Sequence, residues 1–98
     1  MKIYIIGEKR TEEEYKKLEN TLKKEGHEII NILKVLKPLP KVTREEKEKI
    51  AQILIGGSDA VFVKKGWKRS YMSKEEVMYA VSQDVNVTFE DKDELPFM

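Results

Sequence analysis

The chain has 98 residues, with 19 Lys/Arg against 18 Asp/Glu, a single histidine and no cysteine. That length reads as a single domain over residues 1–98, and the missing cysteine excludes disulfide scaffolds, Cys-ligated zinc, iron–sulfur clusters and thiol catalysis and fits a reducing cytoplasm. A net charge of +1 argues against dedicated duplex nucleic-acid binding, and no apolar run nears the roughly 20 residues that span a bilayer.

Lys2 to Ile6 is a short apolar run rich in β-branched residues, ending at Gly7; it reads as a buried strand. Its one Lys and four apolar residues make no signal peptide. Thr11 is the expected N-cap of the first helix, with Glu14 in the capping-box position. Tyr15, Leu18 and Leu22 keep helical spacing, and Gly26 ends the helix. His27 to Ile32 is the second strand. Leu33 to Val42 holds Pro38 and Pro40 and reads as a connection. Thr43 and Glu46 form a second capping box, opening a helix with Ile50, Ile53 and Leu54 on its apolar face and Gly56-Gly57 at its end. Asp59 to Val63 is the third strand, and Lys64 to Met72 a loop. Ser73 to Glu76 opens the last helix, whose inner side takes Val77, Ala80 and Val81. Val85 to Phe89 is the fourth strand. Residues 90–98 form a tail, acidic from Glu90 to Glu94 and therefore solvated, with Leu95, Pro96, Phe97 and Met98 available to dock on a neighbouring subunit.

Strands alternating with helices mean an α/β fold with a parallel sheet. Right-handed crossovers covering both faces give the order 2-1-3-4, a Rossmann-like three-layer sandwich. In that order the ligand crevice lies beyond the carboxyl ends of strands one and three. The two loops there carry Lys9, Arg10, Lys64, Lys65, Lys68 and Arg69. Helix N-termini follow both loops and also favour anions. A phosphate or another anionic group fits this concentration of charge; a solvated lysine-rich surface is the plain alternative.

Individual residues have two readings each. Trp67, beside Gly66 in the second loop, either stacks on a nucleobase or anchors the loop onto the following helix. Glu76 can attack an anomeric carbon and hold a glycosyl intermediate, or it completes a capping box with Ser73. Tyr4 is core or ligand contact. Asn31, near the carboxyl end of the second strand, meets a ligand or caps the connection. Asp59 bonds the backbone of the turn after Gly56-Gly57-Ser58. The lone His27 leaves no partner for a two-His metal site or a His-based triad. No Gly-x-Gly-x-x-Gly and no phosphate-loop Gly-Lys-Ser/Thr follows the first strand, which weakens dinucleotide and NTPase readings. No cofactor and no metal is expected.

Several blocks together resemble the nucleoside 2-deoxyribosyltransferase-like superfamily, which includes small phage and bacterial domains of unassigned function. They are Lys2-Ile3-Tyr4-Ile5 with Gly7, then Gly26-His27-Glu28-Ile29 with Asn31, then Asp59-Ala60. The most specific is the last, Gly66, Trp67, Ser70, Glu76 and Ala80 at matching spacing. Gly7-x-x-Arg10 also resembles a loop of the nucleotide N-glycosidase relatives. The resemblance implies that Glu76 is the nucleophile on C1′ of a nucleoside, with Ser70 in the substrate loop near a phosphate. It implies a homodimer or larger assembly whose sites are completed by a neighbouring subunit. The chain departs from the pattern at Ile6, Glu8 and Ile32. It departs most at Met72 and Ser73, which replace a usual Gly-Ala pair beside the sugar.

Two functions follow as expectations. One is an enzyme that cleaves or transfers the N-glycosidic bond of a nucleoside or nucleotide. The other is a binding protein that captures a nucleotide-derived signal without turnover, as a phage protein in a host cytoplasm would. Either uses Tyr4, Gly7, Lys9, Arg10, Asn31, Gly66, Trp67, Lys68, Arg69, Ser70, Met72 and Ser73 as ligand contacts around Glu76.

Overall fold

Tyr4 and Ile6 turn to one face of the first strand and Ile3 and Ile5 to the other, and this alternation organises the molecule. The computed structural model describes residues 1–7, 12–30, 32–39 and 41–92. Four strands, β1 (Lys2–Ile6), β2 (Glu28–Ile30), β3 (Ala60–Val63) and β4 (Asn86–Phe89), form one parallel sheet in the order β2-β1-β3-β4. The helices are α1 (Glu12–Lys24), α2 (Ile32–Leu36), α3 (Arg44–Gly56) and α4 (Tyr71–Ser82). The order is the one expected from the alternation of elements. The chain reverses direction across the sheet after β2, so crossovers of constant hand place α1 on one face and α3 and α4 on the other.

The burial follows that division. Ile3, Ile5 and Ala60 pack with Leu22 of α1, and Leu18, Ile29 and Phe62 close in around them. Tyr4, Ile6, Val61 and Val63 pack with Ala51 and Ile55 of α3 and Val77 and Ala80 of α4. The second cluster is the larger, and it also takes in Trp67.

Local signals place the helix ends. Thr43 accepts from the Glu46 N–H while the Glu46 carboxylate accepts from the Thr43 N–H, both at 3.2 Å, completing the expected capping box. Gly26 ends α1 with φ +87°, a left-handed conformation that costs glycine little. The expected box at Thr11 and Glu14 lies outside the described residues and side chains, as do residues 93–98 of the tail.

Four local readings are corrected. The second strand ends at Ile30, and a helix of only five residues, α2, begins at Ile32 and runs to Leu36 into the stretch read as a connection. Asp59 does not bond its own turn: its Oδ2 accepts from the Lys2 N–H at 2.8 Å and its N–H donates to the Lys2 carbonyl. It therefore clamps the start of β3 to the start of β1. Glu90 is not merely a solvated tail residue, because its Oε1 accepts from the Lys65 N–H at 2.9 Å. The last helix starts at Tyr71 rather than Ser73. A 3-10 turn over Trp67–Arg69, entered at Gly66 with φ +85°, leads directly into it. No described helix is long and apolar enough to cross a membrane.

Candidate functional site

On α4 the buried stripe is Ser73, Val77 and Ala80, spaced as one helical face. Glu76 sits beside that stripe, one residue before Val77, and so reaches the sheet at the edge nearest α3. There the Tyr4 hydroxyl, which belongs to the fully buried middle of β1, donates to Glu76 Oε2 at 2.7 Å. Seventy-two positions separate the two residues. The fold brings them together because Tyr4 faces the α3–α4 layer.

This contact corrects one expectation. Ser70, not Ser73, is the N-cap of α4, and its Oγ accepts from the Ser73 N–H at 3.3 Å. Glu76 is thus in the second turn, with its carboxylate on the Tyr4 hydroxyl and no part in a cap. Burial pushes the Glu76 carboxyl up from 4.5 to about 7, against the Tyr4 hydrogen bond, which pulls it down. Near neutral pH the group is therefore divided between its acid and its carboxylate. Perturbed carboxyls in clefts are a recognised mark of functional sites.

A cleft opens beside the pair. Its walls are Glu48, Ala51, Gln52 and Ile55 of α3 and Met72, Glu75, Glu76 and Tyr79 of α4. The enclosed space is only about 20 Å³, room for about one water molecule. The floor is apolar, from Ala51 and Ile55, and the rim carries carboxylates. Met72 lines this space together with Glu76.

The rim is cross-linked. Arg44 Nε lies 3.6 Å from Glu48 Oε1, and the same guanidinium sits 4.2 Å above the Tyr71 ring. The Tyr71 hydroxyl in turn bonds Glu75, which raises the Tyr71 pKa. One chain of contacts thus joins the first turns of α3 and α4 at the cleft mouth.

The other expected contacts scatter. Trp67 is only 4% exposed, and its ring meets Phe89 at 5.7 Å between centroids, tilted by 45°. It packs as the anchor of the 3-10 turn, and its indole has almost no surface left for a nucleobase. Lys68 Nζ lies 5.6 Å above that same indole. Lys64 is buried, its side chain running across Gly7, where an added Cβ would meet Lys64 Cβ at 2.9 Å. Arg69 is exposed in the 3-10 turn, and Gly66 is buried at its start. None of Lys64, Lys65, Lys68 or Arg69 lines the cleft. Lys9, Arg10 and Asn31 lie outside the described residues. Of the expected set, then, Tyr4, Met72 and Glu76 come together, Ser73 is buried on the adjoining stripe, and Ser70 holds the helix start.

Sequence reading missed the α3 wall. Glu48 and Gln52 are one turn apart on a helix whose polar residues read as a solvated face. The signal available was that Ala51 and Ile55 are equally spaced beside them, so the pair flanks the buried stripe.

The chain was compared with known proteins. A family model described as a domain of unknown function (DUF4406) matches residues 1–89. No curated protein matches the chain.

Proposed function

The chain belongs to the DUF4406 family, and within that family we propose that it cleaves or transfers the N-glycosidic bond of a nucleoside-type ligand, with Glu76 as the nucleophile. The observation that carries the reading is the 2.7 Å hydrogen bond from Tyr4 to Glu76 at the edge of the small cleft between α3 and α4. Tyr4 is rigid within the sheet, so its hydroxyl fixes one carboxylate oxygen and leaves the other to face the reacting carbon. The sequence resemblance to the nucleoside 2-deoxyribosyltransferase-like superfamily supports the same role for this glutamate.

In the proposed reaction the ionised Glu76 oxygen attacks C1′. The C1′–N bond breaks, and the base leaves with the bonding pair and takes a proton from solvent or a neighbouring acid. Water or a second base then attacks C1′ and releases the Glu76 carboxylate. Only the ionised form is nucleophilic. With the carboxyl held at about 7, base release in the free enzyme falls roughly tenfold for each pH unit well below neutrality.

The second reading, a binding protein that does not turn its ligand over, is favoured by Met72, which lines the cleft with Glu76 where the resembled superfamily carries glycine. A homodimer remains part of the proposal, since Ile53, Tyr71 and Met78 on α3 and α4 are 73%, 59% and 53% exposed.

The deciding assay is chromatographic detection of free base from a panel of nucleosides and their monophosphates, with wild type and Glu76→Gln. Release by wild type and a loss of several orders of magnitude in Glu76→Gln supports the enzyme. Binding with no release from any ligand supports the binder.

A further inference from the structure

We propose that the acidic and apolar segment Asp93–Met98 of one copy docks on the face that α2 and the turn after it present on a second copy. The inference stands apart from the glycosidic reading and concerns how copies assemble. α2 turns Ile32 into the larger core cluster. Val35 and Leu39 are left 38% and 43% exposed, on a stretch whose charge is all of one sign. From Ile29 to Arg44 the sequence carries Lys34, Lys37, Lys41 and Arg44 and no Asp or Glu. Lys37 and Lys41 flank Leu39 and are exposed. Among the described residues neither of these two lysines pairs with a carboxylate. Apolar side chains between cations suit a partner that brings acids together with apolar residues of its own.

The chain itself carries such a partner. Asp93 and Glu94 are followed directly by Leu95, Pro96, Phe97 and Met98. Pro96 limits the freedom that docking takes away. The match is between copies because of where the two pieces stand. α2 follows β2 and the segment follows β4, and these are opposite edges of the sheet. Three strand spacings separate them, about 14 Å. Glu90 is tied to its own corner, its N–H donating to the Val63 carbonyl and its Oε1 accepting from the Lys65 N–H. Asp93 and Glu94 come only three and four residues later, a reach of about 10–14 Å at full stretch. Within one copy the acids would need that whole stretch to meet the lysines; a second copy imposes no such limit. Two copies that exchange the segment make the contact twice, about a two-fold axis.

The test is analytical ultracentrifugation over a concentration series. The samples are wild type, a chain stopped after Lys92, the pair Lys37→Glu with Lys41→Glu, and that pair combined with Asp93→Lys and Glu94→Lys. Wild type should associate, and the shortened chain and the lysine pair should each dissociate about tenfold or more readily. The charge-swapped chain should regain association. Mixing the shortened chain with the lysine pair should also regain it in part, because one brings the segment and the other the intact face. A wild type that stays monomeric overturns the proposal, whether the segment then docks on its own copy or on nothing. Association that survives both losses places the contact elsewhere, such as the face of Ile53, Tyr71 and Met78, and overturns it too. Failure of the charge swap to restore association overturns the pairing of the acids with Lys37 and Lys41. None of these results bears on base release, so the glycosidic reading is judged separately.

Discussion

Replacing Glu76 by Gln removes an ionisation that the fold resists, and this predicts a stability difference with a defined pH dependence. In the unfolded chain the carboxyl titrates at its ordinary 4.5, whereas in the fold it is held at about 7. The folded state therefore binds the proton more tightly. Stability from that proton is fully present below pH 4.5 and is lost as pH rises through 7. A gap from 4.5 to about 7, at 1.36 kcal/mol for each pH unit, costs the ionised protein about 3 kcal/mol. Gln keeps the shape, carries no charge at any pH and can still accept from the Tyr4 hydroxyl. Urea unfolding of both proteins should give similar stabilities at pH 4. At pH 8.5 Glu76→Gln should be more stable by about 3 kcal/mol, a large share of the total for a domain this size. The other titrating groups are common to both proteins and cancel in the difference. A difference that stays constant from pH 4 to 8.5 would refute the claim that the carboxyl is buried and raised.

Two further predictions concern the elements that hold the site. Ser70→Ala removes the N-cap of α4 and should lower stability by about 1 kcal/mol in thermal or urea unfolding, with Ser70→Gly losing only a few tenths; an unchanged midpoint would mean the cap lies elsewhere. Gly7→Ala places a methyl group against Lys64 Cβ at 2.9 Å, beside the backbone where Lys64 N–H donates to the Ile6 carbonyl. The loop must shift, and about 1–3 kcal/mol of stability should be lost in the same assay.

Much of this arrangement was legible because the sheet signals are local. Each strand is a short apolar run beside a turn, and alternation with helices leaves few topologies to consider. The helix start at Ser70 was not legible, because two serines compete three residues apart. Ser73 has Glu76 in the box position, while Ser70 has Ser73 there. Pattern favours the later start, and burial of Trp67 decides for the earlier one by folding its loop into a 3-10 turn. α2 was hidden because Pro38 and Pro40 dominate a stretch in which only five residues are helical. Tyr4 and Glu76 were each singled out, but their pairing depends on which face of β1 meets α4. The α3 wall was hidden for a related reason: Glu48 and Gln52 are ordinary surface residues until α4 packs beside them. Trp67 had two readings in sequence, stacking on a base or anchoring its loop, and its place in the core matches the anchor.

The central claim is that Glu76 forms the bond to the sugar. Mass spectrometry after incubation with a slowly turning-over 2′-fluoro nucleoside tests it most directly. The account predicts a mass increase equal to the fluorosugar, located by proteolysis to the peptide bearing Glu76 and absent from Glu76→Gln. Base release by wild type with the adduct on another residue, or unchanged release by Glu76→Gln, would contradict it.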